Sequence, residues 1–219
     1  MNQPSTRSLD KMPEIDDLIR LCRALAMLDA ILSPEWEYRY YSFNSRWAPG
    51  EMMASMNDGS GNEYFILFDQ NGAAIKGFDH ESPMSPWETD SIWPGMYDQV
   101  PAKFTSFLNE PAFSMDNVTF CIWREYGDSE WRCGVTDFPG DNDPDGSGWM
   151  LKILDGDPAT YQEYVRDYFE IELPLDAIDH IYRNQPLADV IVQALNSEIT
   201  VASLEADAIE IGYPVVPLS

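Results

Sequence analysis

Apolar residues recur at helical spacing in the segment that follows Pro13. They repeat every three or four residues, at Ile15, Leu18, Ile19, Leu21, Cys22, Leu25, Ala26, Leu28 and Ile31. Pro13 suits the first turn of a helix, acidic residues follow it there, and Pro34 comes just after the pattern ends. The spacing predicts one amphipathic helix over about residues 15–32.

The middle of the chain changes to runs that are typical of β-strands. Six runs are aromatic, β-branched or otherwise apolar: 35–44, 51–57, 63–68, 73–78, 118–126 and 130–138. Three pairs of successive runs are separated by turn sequences, namely Asp58-Gly59-Ser60-Gly61, Asn71-Gly72 and Gly127-Asp128. These runs predict an antiparallel sheet built from hairpins. The short apolar run Trp149–Leu154 fits a further strand.

Helical spacing returns after Asp157, which precedes Pro158 as a cap residue precedes a first-turn proline. The helices predicted from spacing and caps lie at about 100–110, 157–169, 173–182, 186–195 and 203–211. We therefore expect an α+β fold with an N-terminal helix, an antiparallel sheet of about five or six strands, and C-terminal helices packed on the sheet. Residues 1–12 are predicted to be a disordered tail, and 13–219 to be a single domain.

Charge is the most extreme property of the composition. The chain has 38 acidic residues against 13 Lys and Arg, which gives a net charge of −25. Nucleic acids and anionic membranes need positive counter-charge, so neither is expected as a partner. A basic protein partner would be attracted, and its association accelerated. The alternative is that the acidity only keeps the protein soluble.

The sequence favours a cytoplasmic location. Charged residues interrupt the apolar segment 15–32, so it is too polar to span a bilayer, and the first seventeen residues lack the apolar run of a secretory signal. The three cysteines are an odd number at spacings that suit neither a disulfide framework nor a metal site.

The segment 141–148, DNDPDGSG, carries the strongest chemical signal. Asp141, Asp143, Asp145 and Gly146 match the first positions of an EF-hand calcium loop. Lys152 stands where that loop needs a bidentate glutamate, and a strand-like segment precedes it, so an EF-hand is excluded. A looser calcium site through the three aspartates remains one hypothesis. The other is an acidic, turn-rich surface loop between two strands, suited to meeting a basic partner.

Catalytic signatures are sparse. The chain has no nucleotide-binding glycine motif and no nucleophile elbow of an α/β-hydrolase. His80 and His180 are the only histidines, and His80 lacks the second histidine of a zinc protease. An enzyme of unknown class with a site near His80 is therefore kept only as an alternative, which would need carboxylates or Cys133 beside that ring.

The loop from Phe78 to Trp93 is rich in aromatic residues and proline. Proline-stiffened loops can present ordered aromatic side chains such as Trp87 and Trp93 to a partner. The alternative is that both tryptophans cover one face of the sheet.

Several stretches carry a resemblance that spans about residues 50–213. They are GSGNEYFILF, GAAIKGFDHESPMSPW, VPAKFTSFLNEPAF, VTFCIWR and HIYRNQPLADVIVQALN. Together they resemble a family of uncharacterised bacterial proteins, and more loosely the acidic immunity proteins that neutralise a toxin. The resemblance carries no catalytic residues over to this chain. We expect no cofactor, with calcium at the 141–148 loop as the alternative. We expect a non-enzymatic acidic binding protein, of the immunity type, with a basic protein partner.

Overall fold

A computed structural model describes residues 3–140 and 142–215 of the chain. Within these ranges the strands are β1 Tyr41–Ala48, β2 Glu51–Asn57, β3 Glu63–Asp69, β4 Gly72–Phe78, β5 Phe120–Glu125 and β6 Arg132–Cys133. The α-helices are α1 Ile15–Leu32, α2 Pro86–Thr89, α3 Thr105–Leu108, α4 Ser147–Leu151, α5 Pro158–Phe169, α6 Leu175–Tyr182, α7 Asp189–Leu195 and α8 Glu205–Ile211. The predicted α+β fold is confirmed.

The six strands form one antiparallel sheet in sequence order, β1 to β6. The predicted meander of β2, β3 and β4 is confirmed, and Asp69 pairs with Gly72, so the tight turn between β3 and β4 is Gln70-Asn71. The carboxylate of Asp69 accepts hydrogen bonds from the N–H groups of Asn71 and Gly72, which closes this turn.

The sheet is covered on both faces because its side chains alternate between two hydrophobic clusters. In β3, Tyr64, Ile66 and Phe68 point into the larger cluster, while Phe65 and Leu67 point into the smaller one. The larger cluster holds α1 and the C-terminal helices. In the smaller cluster the sheet packs against the segment between β4 and β5, including the short helix α3.

Helix α1 lies at the centre of the helical layer, where it packs against β1, α6, α7 and α8. The predicted apolar stripe is buried along its whole length. Among the helices of the described ranges, none has the length and apolar character needed to cross a membrane.

Three strand predictions differ from the structure. Of the predicted strand 130–138, only Arg132–Cys133 is a strand. The run Trp149–Leu154 forms α4 and a following 3-10 segment, Lys152–Asp155, so the predicted strand is wrong. A short apolar run fits either a strand or a buried helix, and only the capping groups of the preceding loop favour the helix. In the segment 35–44, a 3-10 turn Trp36–Tyr38 precedes the strand, which starts at Tyr41.

The N-terminal segment also differs from the predicted tail. Residues 3–12 pack on the domain, and Thr6 is buried there. Its hydroxyl donates to Asp145 Oδ2 at 2.6 Å, and its N–H donates to Ser147 Oγ at 3.0 Å. These contacts were not predictable, because their partners lie about 140 residues further along the chain.

We expect Thr6→Val to lower the free energy of unfolding by about 1–2 kcal/mol, because it keeps the shape but leaves the buried Asp145 carboxylate with one donor fewer. Urea denaturation measures the change. Thr136→Val is the matched control, since that exposed hydroxyl donates only to the Pro94 carbonyl and its loss should cost far less. Equal losses in the two variants would contradict a structural role for Thr6.

Candidate functional site

Helix α5 presents three different faces. Tyr161 and Val165 are buried against the core. Thr160, Tyr164 and Tyr168 follow one another at a spacing of four residues, so they share a second face. Glu163, Asp167 and Glu170 fall at i, i+4 and i+7, which makes a third, acidic face beside the tyrosines. The helix therefore aligns a row of aromatic rings with a row of carboxylates.

The tyrosine face of α5 borders an open groove of about 350 Å³. This tyrosine groove is lined by Tyr40, Tyr41, Trp149, Tyr164, Asp167 and Tyr168, among others. Met56, Met150 and Ile153 complete its apolar surface, and Lys152, Thr160 and Glu163 stand with Asp167 as its polar residues. The groove thus joins the edge of the sheet, α4 and α5.

The tyrosine rings are packed against one another. The Tyr164 and Tyr168 rings are stacked with centroids 5.7 Å apart, and the Tyr40 ring meets Tyr168 edge-on at 4.9 Å. Such pairs hold aromatic side chains in fixed orientations. Tyr168 nevertheless remains 53% exposed and Trp149 46% exposed, so ordered aromatic surface faces solvent.

The charged rim of the groove is mostly acidic. Asp167 is 74% exposed and lies 3.3 Å from its neighbour Arg166, while the Glu163 carboxylate is 4.0 Å from the Lys152 ammonium. Glu170, the last of the acidic face, is exposed in a left-handed conformation at the end of α5 and pairs with no described cation. Surface ion pairs of this kind contribute little to stability, so a competing cation can replace Arg166 or Lys152.

A buried carboxylate, Asp29 on α1, lies behind the groove wall. Its Oδ2 accepts the N–H groups of Tyr40 and Tyr41, both at 2.8 Å, and its Oδ1 accepts the Tyr161 hydroxyl at 3.0 Å. Burial raises the pKa of Asp29 to about 6, although these hydrogen bonds oppose the shift. The Tyr164 hydroxyl is buried nearby and has no hydrogen-bond partner among the described residues.

The acidic loop serves as a helix cap. Asp143 accepts the N–H groups of Gly148 and Trp149, both at 2.9 Å, and Asp145 accepts the N–H and hydroxyl of Ser147. These donors belong to the first turn of α4, whose N–H groups have no partners within the helix. Asp145 is buried, and desolvation raises its pKa.

The third predicted calcium ligand, Asp141, lies outside the described residues. Within those residues, no three acidic, histidine or cysteine side chains are grouped closely enough to hold a metal ion. The sequence predicted that this loop joins two strands, but in the structure it leads from the sheet into α4.

The two candidate tryptophans have different environments. Trp93 is partly buried in the smaller cluster, where its indole N–H donates to the Asp137 carbonyl. Trp87 is 58% exposed, yet its ring packs edge-on against Phe78 at 5.0 Å and its N–H donates to Asn117 Oδ1. Of the two, Trp87 is the one that presents an ordered aromatic surface.

The two histidines form hydrogen bonds with different partners in different parts of the fold. His80 Nδ1 is 2.8 Å from Asn62 Oδ1, and Asn62 in turn donates to Asp58, so the imidazole is held by an amide. His180 Nε2 donates to the Pro186 carbonyl on the helical side of the fold. Cys133 belongs to the larger cluster. The structure thus places an amide, rather than a carboxylate or Cys133, against the His80 ring.

The tyrosine groove and the buried role of Asp29 were not predicted from the sequence. One signal was present, because Tyr164 and Tyr168 repeat at four residues beside Glu163 and Asp167. The contribution of Tyr40 and Trp149 could not be predicted, since they come from distant parts of the chain.

Comparison of the chain with protein-family models, with curated proteins and with solved structures finds no match. The family resemblance therefore stays a prediction, and the function is inferred from the residues of the groove.

We expect the stability of the wild type, relative to Asp29→Asn, to fall as the pH rises from about 4 to about 6. The folded state binds the Asp29 proton more tightly than the unfolded state, so folding is favoured while that proton stays bound. The relative loss should be on the order of 3 kcal/mol. Urea midpoints of both proteins across this pH range measure it. Parallel curves would show that Asp29 does not titrate differently in the folded state.

We expect Asp143→Ala to lower the free energy of unfolding by about 1 kcal/mol, because α4 loses the acceptor of two N–H groups. Melting temperatures measured in calcium and in a chelator should show the same loss. Asp143→Asn, which keeps one acceptor oxygen, should lose less. A melting temperature that calcium raises in the wild type alone would instead identify the loop as a calcium site.

Proposed function

We propose that this chain is a non-enzymatic acidic binding protein that recognises a basic protein partner through the tyrosine groove. One observation carries the proposal: an exposed tyrosine, Tyr168, is held by half-buried tyrosines beside a row of carboxylates in a chain of net charge −25. An aromatic face and a carboxylate are the two groups that bind an arginine or lysine side chain best.

Each part of the groove suits one part of such a side chain. The face of Tyr168 can accept a guanidinium or ammonium group through a cation–π contact. Asp167 and Glu163 can pair with the same cation, and arginine can do so with two hydrogen bonds. Met56 and Ile153 can pack against the apolar stem.

The overall charge supports the same partner. An acidic surface raises the rate at which a basic protein approaches and orients it before contact. Local contacts in the groove would then supply the specificity that net charge lacks. An immunity-type inhibitor, which covers a basic surface of a toxin, is the form of this function that we propose.

Tetra-arginine is a defined probe for the groove. We expect it to bind the wild type measurably at low salt, and Tyr168→Ala to weaken binding about two- to fivefold, the effect of one exposed cation–π contact. Asp167→Asn should also weaken it. Isothermal titration at low and high salt measures the affinities.

Two matched variants distinguish binding by the groove from attraction by the net charge. Tyr126→Ala removes another exposed tyrosine, and Asp98→Asn removes another exposed carboxylate, both outside the groove. Both should bind like the wild type. If Asp98→Asn weakens binding as much as Asp167→Asn, net charge alone explains the binding and the proposal is wrong.

The natural partner can then be identified by comparison. Immobilised wild type should retain a basic protein from the cells that produce this chain, and Tyr168→Ala should not. Inhibition of that protein's activity by the wild type would support the immunity-type role, and unchanged activity would exclude it.

A further inference from the structure

Two exposed tryptophans lie at the same end of the sheet. Trp149 lines the tyrosine groove, and Trp87 lies outside it in the segment that covers the opposite face. The end of β4 and the residue after it connect them, because Phe78 contacts the Trp87 ring and Asp79 follows directly.

The connection consists of direct contacts. The Trp149 indole N–H donates to Asp79 Oδ2 at 3.0 Å, and the next residue, His80, has its ring centroid 6.0 Å from that of Trp87. Both linking residues are fixed in turn. Asp79 Oδ1 accepts the Glu81 N–H, and His80 is held by Asn62. Two side-chain contacts, made by the neighbouring residues Asp79 and His80, therefore link the groove to Trp87.

A second, more open cavity of about 690 Å³ lies beside Trp87. Asp90 and Asp116 line it, and neither is ion-paired with a described residue. Asp90 adopts a left-handed backbone conformation with φ of 59°, at the end of α2. A left-handed residue commonly ends a helix, so this conformation marks the point where α2 stops. Trp87 thus repeats the combination of exposed aromatic ring and carboxylates that defines the groove.

We propose that the groove and the Trp87 cavity are two ends of one binding strip, which takes an extended basic segment of the partner. The strip consists of Tyr168, Tyr40, Trp149, Asp79, His80 and Trp87. This inference rests on the proposed function, because the groove supplies its first anchor. The partner segment must be extended, since it has to reach two cavities on opposite faces of the sheet.

The chemistry of the strip specifies its ligand. Each end offers an aromatic face with carboxylates, which suits an arginine or lysine side chain. Asp90 and Asp116 form no ion pair with a described residue, and the weak surface pairs of Asp167 and Glu163 can be replaced by the incoming cation. The half-buried Asp79 between them can accept hydrogen bonds from the linking backbone. Two weak anchors on one chain bind together more tightly than either alone, because the second contact forms within the complex.

The test follows each tryptophan separately. All seven tryptophans are replaced by 5-fluorotryptophan, their fluorine signals are assigned by single Trp→Phe variants, and two peptides are titrated. Tetra-arginine extends about 13 Å and suits one anchor, whereas dodeca-arginine extends about 40 Å and can reach both. Trp36, which is 70% exposed and makes no ring contact with described residues, is the internal control.

With dodeca-arginine, we expect the signals of Trp149 and Trp87 to move with the same midpoint concentration while that of Trp36 stays. Tyr168→Ala should raise both midpoints about two- to fivefold. With tetra-arginine, the same variant should raise the Trp149 midpoint alone.

The outcomes separate the two proposals. If Tyr168→Ala raises the Trp149 midpoint but leaves the Trp87 midpoint for dodeca-arginine unchanged, the two cavities are independent and the strip is wrong, although the groove remains. If Tyr168→Ala changes neither midpoint with either peptide, both proposals are wrong.

Discussion

The buried carboxylate of Asp29 is the interaction on which the candidate site depends. From the last turn of α1 it accepts two backbone N–H groups at the start of β1 and the hydroxyl of Tyr161 on α5. A buried carboxylate is costly without such donors, so the helix, the strand and α5 are held in one arrangement. Tyr40, Tyr41 and the tyrosines of α5 therefore meet as the walls of one groove.

The large negative charge is compatible with this fold because it lies mostly on the surface. Buried cations have partners: Lys76 Nζ is 2.8 Å from Glu63, and Arg124 donates to both oxygens of Glu14. The acidic face of α5, in contrast, lowers the stability of the free protein, because like charges at i and i+4 destabilise a helix. The proposed basic partner would relieve this repulsion, so the face that lowers the stability of the free protein would favour the proposed complex.

The acidic loop shows how one residue pattern can serve two purposes. Alternating aspartates followed by glycine suit a cation, but backbone N–H groups are also electropositive. In this chain Asp143 and Asp145 accept those N–H groups at the start of α4, and Thr6 supplies a further donor. That cap turns the following apolar run into a helix, and the helix places Trp149 at the rim of the groove.

The sequence by itself determined the local elements. The spacing in α1, the hairpin turns around β3, the Asp157 cap of α5 and the overall α+β class follow from periodicity and turn chemistry, which act between near neighbours. Only the tertiary structure decided the site. Asp29 on α1 fixes the backbone of Tyr40, whose ring packs against Tyr168. Trp149 donates a hydrogen bond to Asp79, and the next residue, His80, packs near Trp87. Such contacts depend on how elements pack, and packing joins residues whose separation along the chain carries no periodic signal.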